Sequence, residues 1–524
     1  MKMSPELSPF ELKDQLIELA GNSDNHMMLN AGRGNPNFLA IYPRQAYIRM
    51  GEFALEESGR SYAYLYGGFG GASVRKDIGA RFNEFLIRSK GLPGTLFLRA
   101  SFSYMTDQLG LDLDDVVFEF CEAFLGCNYP VPPRMLTSME KVVREYLVKE
   151  MYAGKTAMNE FDVFATEGGT AAMTYIFQSL KHNLLLQAKD KVAIVTPIFT
   201  PYLEIPVLPE YGLDVVTLEV DEDLGWQLSP ESIKQLEDPA IKVLYVVNPS
   251  NPPSVKMSST VLESIAEVVR TKRQDLMVIT DDVYGTFADD FLSLAAMIPA
   301  NTLLVYSFSK YFGATGWRLG AIALAEKNVF DNKLCALGDA DKAVLEERYS
   351  TLTKDVPGLK FIDRLVADSR AVALNHTSGL SLPQQLQMAL FALFALIDGH
   401  DEYKSATKRL IHRRYNRLMS SIGIEPEGDE NAVDYYTLLD LQRLGEHFYT
   451  KEFGEWMLSN SEDIDFLFTI AKECGVVMLP GKGFDDSHPS ARVSLANLAE
   501  WQYEAIGKMT RKILDELYQK FSTK

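Results

Sequence analysis

An α/β fold with a mainly parallel seven-stranded sheet is predicted for this 524-residue chain from three observations. Seven short β-rich runs follow one another through its middle: DVFATE, KVAIVTPI, LDVVTLEV, KVLYVVNP, LMVITDDVY, LLVYSFS and RLGAIALA. Helical pieces such as TAAMTYIFQSLKHNLL and VLESIAEVVRTKRQ lie between them, the rhythm of a sheet covered on both faces. Hydrophobic residues make up 47% of the chain and charged residues 23%, enough apolar content for a large core. Ahead of the sheet, the N-terminus MKMSPELSPFELKDQ has no apolar centre, so no secretory signal is expected. After it come long helical stretches at 382–422 and 449–475. Two short strand-like pieces, GVVMLPGKGF and ARVSLANL, follow. The most apolar run, MALFALFALI, is too short to span a bilayer and reads as a buried helix. Function is expected at the carboxyl ends of the sheet strands.

A net charge of −19 argues against nucleic acid and anionic membrane as partners. Four cysteines without a CxxC pair suit a reduced, cytoplasmic setting. Seven histidines show no metal-ligand spacing, so no metal site is expected.

The chemistry is most concentrated at Lys310. It lies in Ser307-Phe308-Ser309-Lys310, and Arg318 follows in Gly316-Trp317-Arg318-Leu319-Gly320. A lysine held between a strand and a loop, with a second cation at fixed distance, suits an aldehyde cofactor that carries a phosphate. The amine forms a Schiff base with the aldehyde, and the guanidinium takes the phosphate through its planar donor fork. Thr166-Glu167-Gly168-Gly169-Thr170 ends a strand and opens a helix, a turn whose N–H groups favour an anion. Asp281-Asp282-Val283-Tyr284 follows the strand LMVIT, and either carboxylate could keep a ring nitrogen protonated.

The stretch LLVYSFSKYFGATGWRLGAIAL resembles the cofactor-lysine segment of fold-type I pyridoxal-phosphate (PLP) enzymes, the aspartate aminotransferase superfamily. Six motifs in that superfamily's order span roughly 160–500. The resemblance implies a fold-type I transferase, with a large PLP-binding domain and a smaller α+β domain. Residues 1–60 would contribute to the small domain and the active site, 61–375 would form the large domain, and 376–524 the small one. Regions near 90–157 and 325–370 look inserted relative to the compact pattern. The resemblance assigns Gly169, Thr170, Ser307, Ser309 and Arg318 to the phosphate, and Asp281 to the pyridine nitrogen. Asp282 is the rival, and the spacing to Tyr284 favours Asp281. Tyr284 and Asn251 would bond the ring hydroxyl, and Phe199 would stack on the ring. Asn251 stands in Asn248-Pro249-Ser250-Asn251-Pro252-Pro253-Ser254, where Pro253-Ser254 replaces the usual Thr-Gly, so the turn after it is expected to differ. Arg492, in ARVSLA, would clamp the substrate α-carboxylate bidentately. A tyrosine from a neighbouring subunit, Tyr66 with Tyr64 as rival, would reach the phosphate and make a homodimer or larger homo-oligomer necessary.

LNAGRGNPN, YGGFGG, the two insertions and ALNHTSGLSLPQQ are similar to the aspartate β-decarboxylase family over nearly the whole chain. That implies conversion of L-aspartate to L-alanine and carbon dioxide by way of a ketimine and an enamine, with transamination on the side. Arg33 would face the distal carboxylate, with Arg370 as a second candidate and Thr377 and Ser378 lining the pocket. A plain aspartate or aromatic aminotransferase is the alternative.

Overall fold

The computed structural model describes residues 9–21, 27–154, 160–426, 428–460 and 463–523. Its strands are β1 (Leu29–Asn30), β2 (Phe161–Thr166), β3 (Lys191–Thr196), β4 (Asp214–Asp221), β5 (Gln227–Leu228), β6 (Ile241–Val247), β7 (Met277–Asp281), β8 (Thr302–Ser307), β9 (Gly320–Ala325), β10 (Tyr436–Asp440), β11 (Val476–Val477), β12 (Leu479–Pro480) and β13 (Ser490–Ser494).

The large sheet runs β2-β9-β8-β7-β6-β3-β4-β5. Neighbours from β8 through β4 pair in parallel, whereas β9 runs antiparallel to both β2 and β8. The seven runs read from sequence therefore form one sheet, and the two-residue β5 adds an eighth strand at its edge. Strands β2, β7 and β8 are buried along their whole length, and apolar residues dominate them in sequence. Parallel strands need crossovers, and the helices Gly169–His182 and Ser259–Thr271 supply two of them.

A three-stranded antiparallel sheet, β10-β13-β12, stands apart, and β1 pairs in parallel with β11 beside it. Through that pairing the N-terminal run is held to the C-terminal part: Ala31 N–H donates to Val477 O at 2.8 Å and Ser494 N–H to Ala31 O at 2.7 Å. Residues 32–37 are thereby fixed against β13. The stretch 382–422 is two helices, Leu382–Ile397 and Glu402–Ile422, separated at Asp398–Asp401, where Asp401 adopts a positive φ of 49°. The first is buried, and it packs against Ile41–Ser61, Thr95–Asp107, Leu113–Leu125 and Thr137–Met151. The region near 90–157 therefore builds a helical layer around it. The region near 325–370 contributes Phe361–Asp368, which packs on Gly169–His182. Among the described residues, no helix is long and apolar enough to cross a membrane.

Candidate active site

The carboxyl ends of β2, β6, β7 and β8 meet at one pocket, lined by Gly169, Thr170, Phe199, Asn251, Asp281, Tyr284, Ser307, Ser309, Lys310 and Arg318. These are ten of the residues singled out from sequence, and Tyr202 and Tyr436 line the pocket with them. Lys310 follows β8 directly. Its amine donates to Gly34 O at 2.9 Å, so the N-terminal loop lies across the mouth of the sheet.

The anion end is built from backbone. Gly168 has φ +94°, and a Cβ there would stand 2.6 Å from Arg318 Nη2. Only glycine lets the turn adopt that conformation and the guanidinium approach so closely. Arg318, itself at φ +55°, donates to Glu167 O at 3.3 Å and Thr315 O at 3.1 Å. A Cβ on Gly320 would meet the Gly168 carbonyl carbon at 2.6 Å, so β9 and the turn also need a glycine where they touch. Ser307 Oγ donates to Ser309 Oγ at 2.9 Å, which puts two hydroxyls beside the helix N-terminus at Gly169.

Asp281, not Asp282, faces the pocket. Tyr202 donates to its Oδ2 at 2.7 Å and Val283 N–H to its Oδ1 at 3.1 Å. Burial pushes the Asp281 carboxyl up to about 6, against the pull of those bonds and of Lys310. Asp282 bonds Thr280 instead, and its burial raises it to about 7. Because the folded Asp281 is raised above the ordinary 3.8, its neutral form is favoured by folding. Its contribution is fully present below pH 4, is lost as pH rises through about 6, and amounts to about 3 kcal/mol. The cofactor-free Asp281→Asn variant is accordingly expected to overtake the cofactor-free parent in melting temperature between pH 4 and 7. A cation placed against Asp281 should remove that difference.

Arg492, on β13, is 2% exposed. It donates to Asn251 Oδ1 at 3.1 Å and to Gly32 O at 3.0 Å, while its Nε has no partner. Among the described residues no carboxylate pairs with it, and burial lowers its proton affinity. A buried cation held by neutral groups beside a lysine pocket carries a charge that its protein partners leave uncompensated.

The turn after Asn251 places a serine, not a glycine, at its left-handed position. Ser254 takes the left-handed conformation, φ +64°, that glycine usually supplies. Its Oγ accepts N–H bonds from Tyr435 at 3.0 Å and Tyr436 at 3.2 Å, which pins β10 to the pocket.

Other expected residues lie elsewhere. Arg370 does not reach the pocket. Its guanidinium is taken by Glu167 Oε1 at 2.6 Å and the Tyr175 hydroxyl at 3.2 Å, in a separate cavity that Thr377 also lines. Thr377 donates to Leu374 O at 2.8 Å, and Ser378 is fully buried against Val366 O. Local partners thus occupy the groups expected at the distal carboxylate. Arg33 is exposed on the loop between Gly32 and Gly34, each of which touches the site through its carbonyl. Tyr64 and Tyr66 are 79% and 80% exposed and do not line this chain's own pocket.

Residues 126–506 match the family described as "Aminotransferase class I and II". This chain belongs to that family. It is 54% identical over 98% of its length, and 97% of the relative's, to a "Bifunctional aspartate aminotransferase and L-aspartate beta-decarboxylase" of a Pseudomonas species. "Aromatic-amino-acid aminotransferase 2" of Thermococcus litoralis is 25% identical, over 63% of this chain and 72% of the relative. Among solved structures, a Thermus thermophilus aspartate aminotransferase double mutant has a TM-score of 0.60 at 17% identity, covering 98% of this chain and 97% of that one. An aromatic aminotransferase from Pyrococcus horikoshii gives 0.57 at 19%, covering 96% and 99%. Those two likenesses bear on the fold, and they agree with the α/β architecture of this family member.

Proposed function

We propose that this chain is a PLP-dependent aspartate 4-decarboxylase that converts L-aspartate to L-alanine and carbon dioxide and also transaminates aspartate. The observation that carries the reading is the near full-length 54% identity to the Pseudomonas bifunctional enzyme. The pocket's donor set fits the cofactor: an amine at Lys310, a buried carboxylate at Asp281, and an anion cradle that a Cβ at Gly168 would fill. When bound, PLP supplies an electron sink that stabilises negative charge at carbon next to the amino nitrogen.

The residues divide that work. Lys310 would hold the cofactor through its amine, and that amine moves the proton at the substrate Cα. Asp281 holds a proton on the ring nitrogen, and its own burial makes a cationic neighbour welcome. Asn251 and Tyr284 hold the ring hydroxyl, and Phe199 covers the ring. Gly169, Thr170, Ser307, Ser309 and Arg318 hold the phosphate. Arg492 binds the α-carboxylate, which supplies the counter-charge that this buried guanidinium lacks.

Arg33 is proposed to recognise the β-carboxylate without pairing to it tightly, since a tight ion pair would stabilise the ground state that must lose carbon dioxide. The site must exclude water from the bound substrate, because hydrolysis would give oxaloacetate instead of alanine. A homodimer or larger assembly is supported by exposed apolar residues around the YGGFGG segment, among them Tyr64, Leu65, Tyr66 and Phe69. In that assembly Tyr66 would serve a neighbouring subunit's phosphate.

The test is purified protein given aspartate and PLP with no keto acid. Sustained, equal release of alanine and carbon dioxide is expected. Oxaloacetate formed without alanine would show a plain aminotransferase.

A further inference from the structure

Tyr436 was not legible as a site residue, yet it lines the pocket. Its hydroxyl accepts a hydrogen bond from Tyr284 at 3.0 Å. The Arg492 guanidinium lies over its ring, 4.4 Å from the centroid. A Cβ on Gly34 would collide with the Tyr436 hydroxyl and stand 3.1 Å from Lys310 Nζ, so hydroxyl and amine flank the same few cubic ångströms. Ser254 holds the Tyr436 backbone in place through its Oγ. On its other side Tyr436 borders a cavity of about 670 Å³ that Lys408, His412, Glu430 and Asp434 also line. The residue therefore separates the lysine pocket from a polar, water-accessible space.

β-Decarboxylation needs one acid that transamination does not. When carbon dioxide leaves, its bonding electron pair stays with Cβ, and a proton must be added there. Lys310 has by then passed on the proton it took from Cα and is a neutral amine, a poor acid. We propose that the Tyr436 hydroxyl is the acid that protonates Cβ. Its O–H bond breaks as the Cβ–H bond forms, and the tyrosinate regains a proton from water through the neighbouring cavity. One proton is consumed per turnover, and no oxidant or reductant is needed. In the ligand-free protein burial alone would raise this hydroxyl's proton affinity, but Lys310, Arg492 and the Tyr284 hydrogen bond leave it lowered, whereas Tyr284 and Tyr435 beside it are raised. The Arg492 guanidinium over the ring remains to hold the resulting negative charge.

This inference rests on the decarboxylase reading, and one experiment tells their failures apart. If the parent enzyme releases no carbon dioxide from aspartate, the reading itself falls. If it does, Tyr436→Phe is expected to form alanine about 10²–10³-fold more slowly, while oxaloacetate formation falls far less. The cofactor-free protein supplies a readout independent of turnover. Its tyrosinate absorbance, followed against pH, should show one group ionising before the others, and Tyr436→Phe should lack it. Ser254→Ala, which frees the backbone but keeps the hydroxyl, is a second variant in which alanine formation should also fall more than oxaloacetate formation. Equal loss of both products, parental alanine formation, or an unchanged tyrosinate titration would each overturn the proposal.

Discussion

Replacing Lys310 with alanine is expected to lower alanine formation from aspartate by about 10⁴-fold or more while leaving the cofactor bound. Among the described residues it is the one lysine lining the pocket, so no neighbouring amine can assume its proton transfers. The turn proposed to hold the phosphate does not depend on it. Gly168, Gly169, Ser307, Ser309 and Arg318 are held by backbone and by one another. The variant should therefore retain stoichiometric PLP after gel filtration and yet be inert. Loss of both properties together would mean that Lys310 is needed to shape the pocket as well as to act in it.

Exchanging Arg492 for methionine is expected to move stability and activity in opposite directions. The guanidinium is buried, its Nε unpaired, and its two partners are a side-chain amide and a carbonyl. An apolar side chain of similar length relieves an uncompensated buried charge, though Asn251 and Gly32 each lose a donor. The ligand-free protein should gain about 1 kcal/mol in thermal or denaturant unfolding. Without the cation, the substrate α-carboxylate would enter a buried site with no counter-charge. kcat/KM for aspartate should fall roughly 10²–10³-fold, the effect of truncating one partner of a buried charge pair. A stable site and a functional one make different demands at this position. A variant that lost stability as well would show that Arg492 holds β13 in place.

Much of this was legible because both the sheet and the lysine pocket are local. Strands such as LLVYSFS announce themselves by continuous apolar, β-branched runs, and the residues immediately after them fall at the strand ends. Lys310, Asp281, Asn251 and Gly169 all reach the pocket for that reason. What was not legible depends on distant partners. Tyr202 bonds Asp281 across 79 positions, and Tyr436 meets Tyr284 across 152. β10 is five residues long, YTLLD, between acidic groups, and only its pairing with β13 makes it a strand. Its signal was the row of β-favouring residues from Tyr435 to Leu439. Arg370 misled because an arginine near a glycine turn can equally pair with the turn's own glutamate, and Glu167 claims it. Ser254 shows the opposite case. A departure from the expected motif keeps the left-handed turn and adds a hydroxyl that ties β10 to it.

The most direct measurement is borohydride reduction of the purified, PLP-loaded protein, followed by peptide mass analysis. One pyridoxyl group per chain, fixed on the peptide that contains Lys310, is the expected result. A chain that takes up no label, or carries it on another lysine, would contradict the assignment of this pocket and the chemistry built on it.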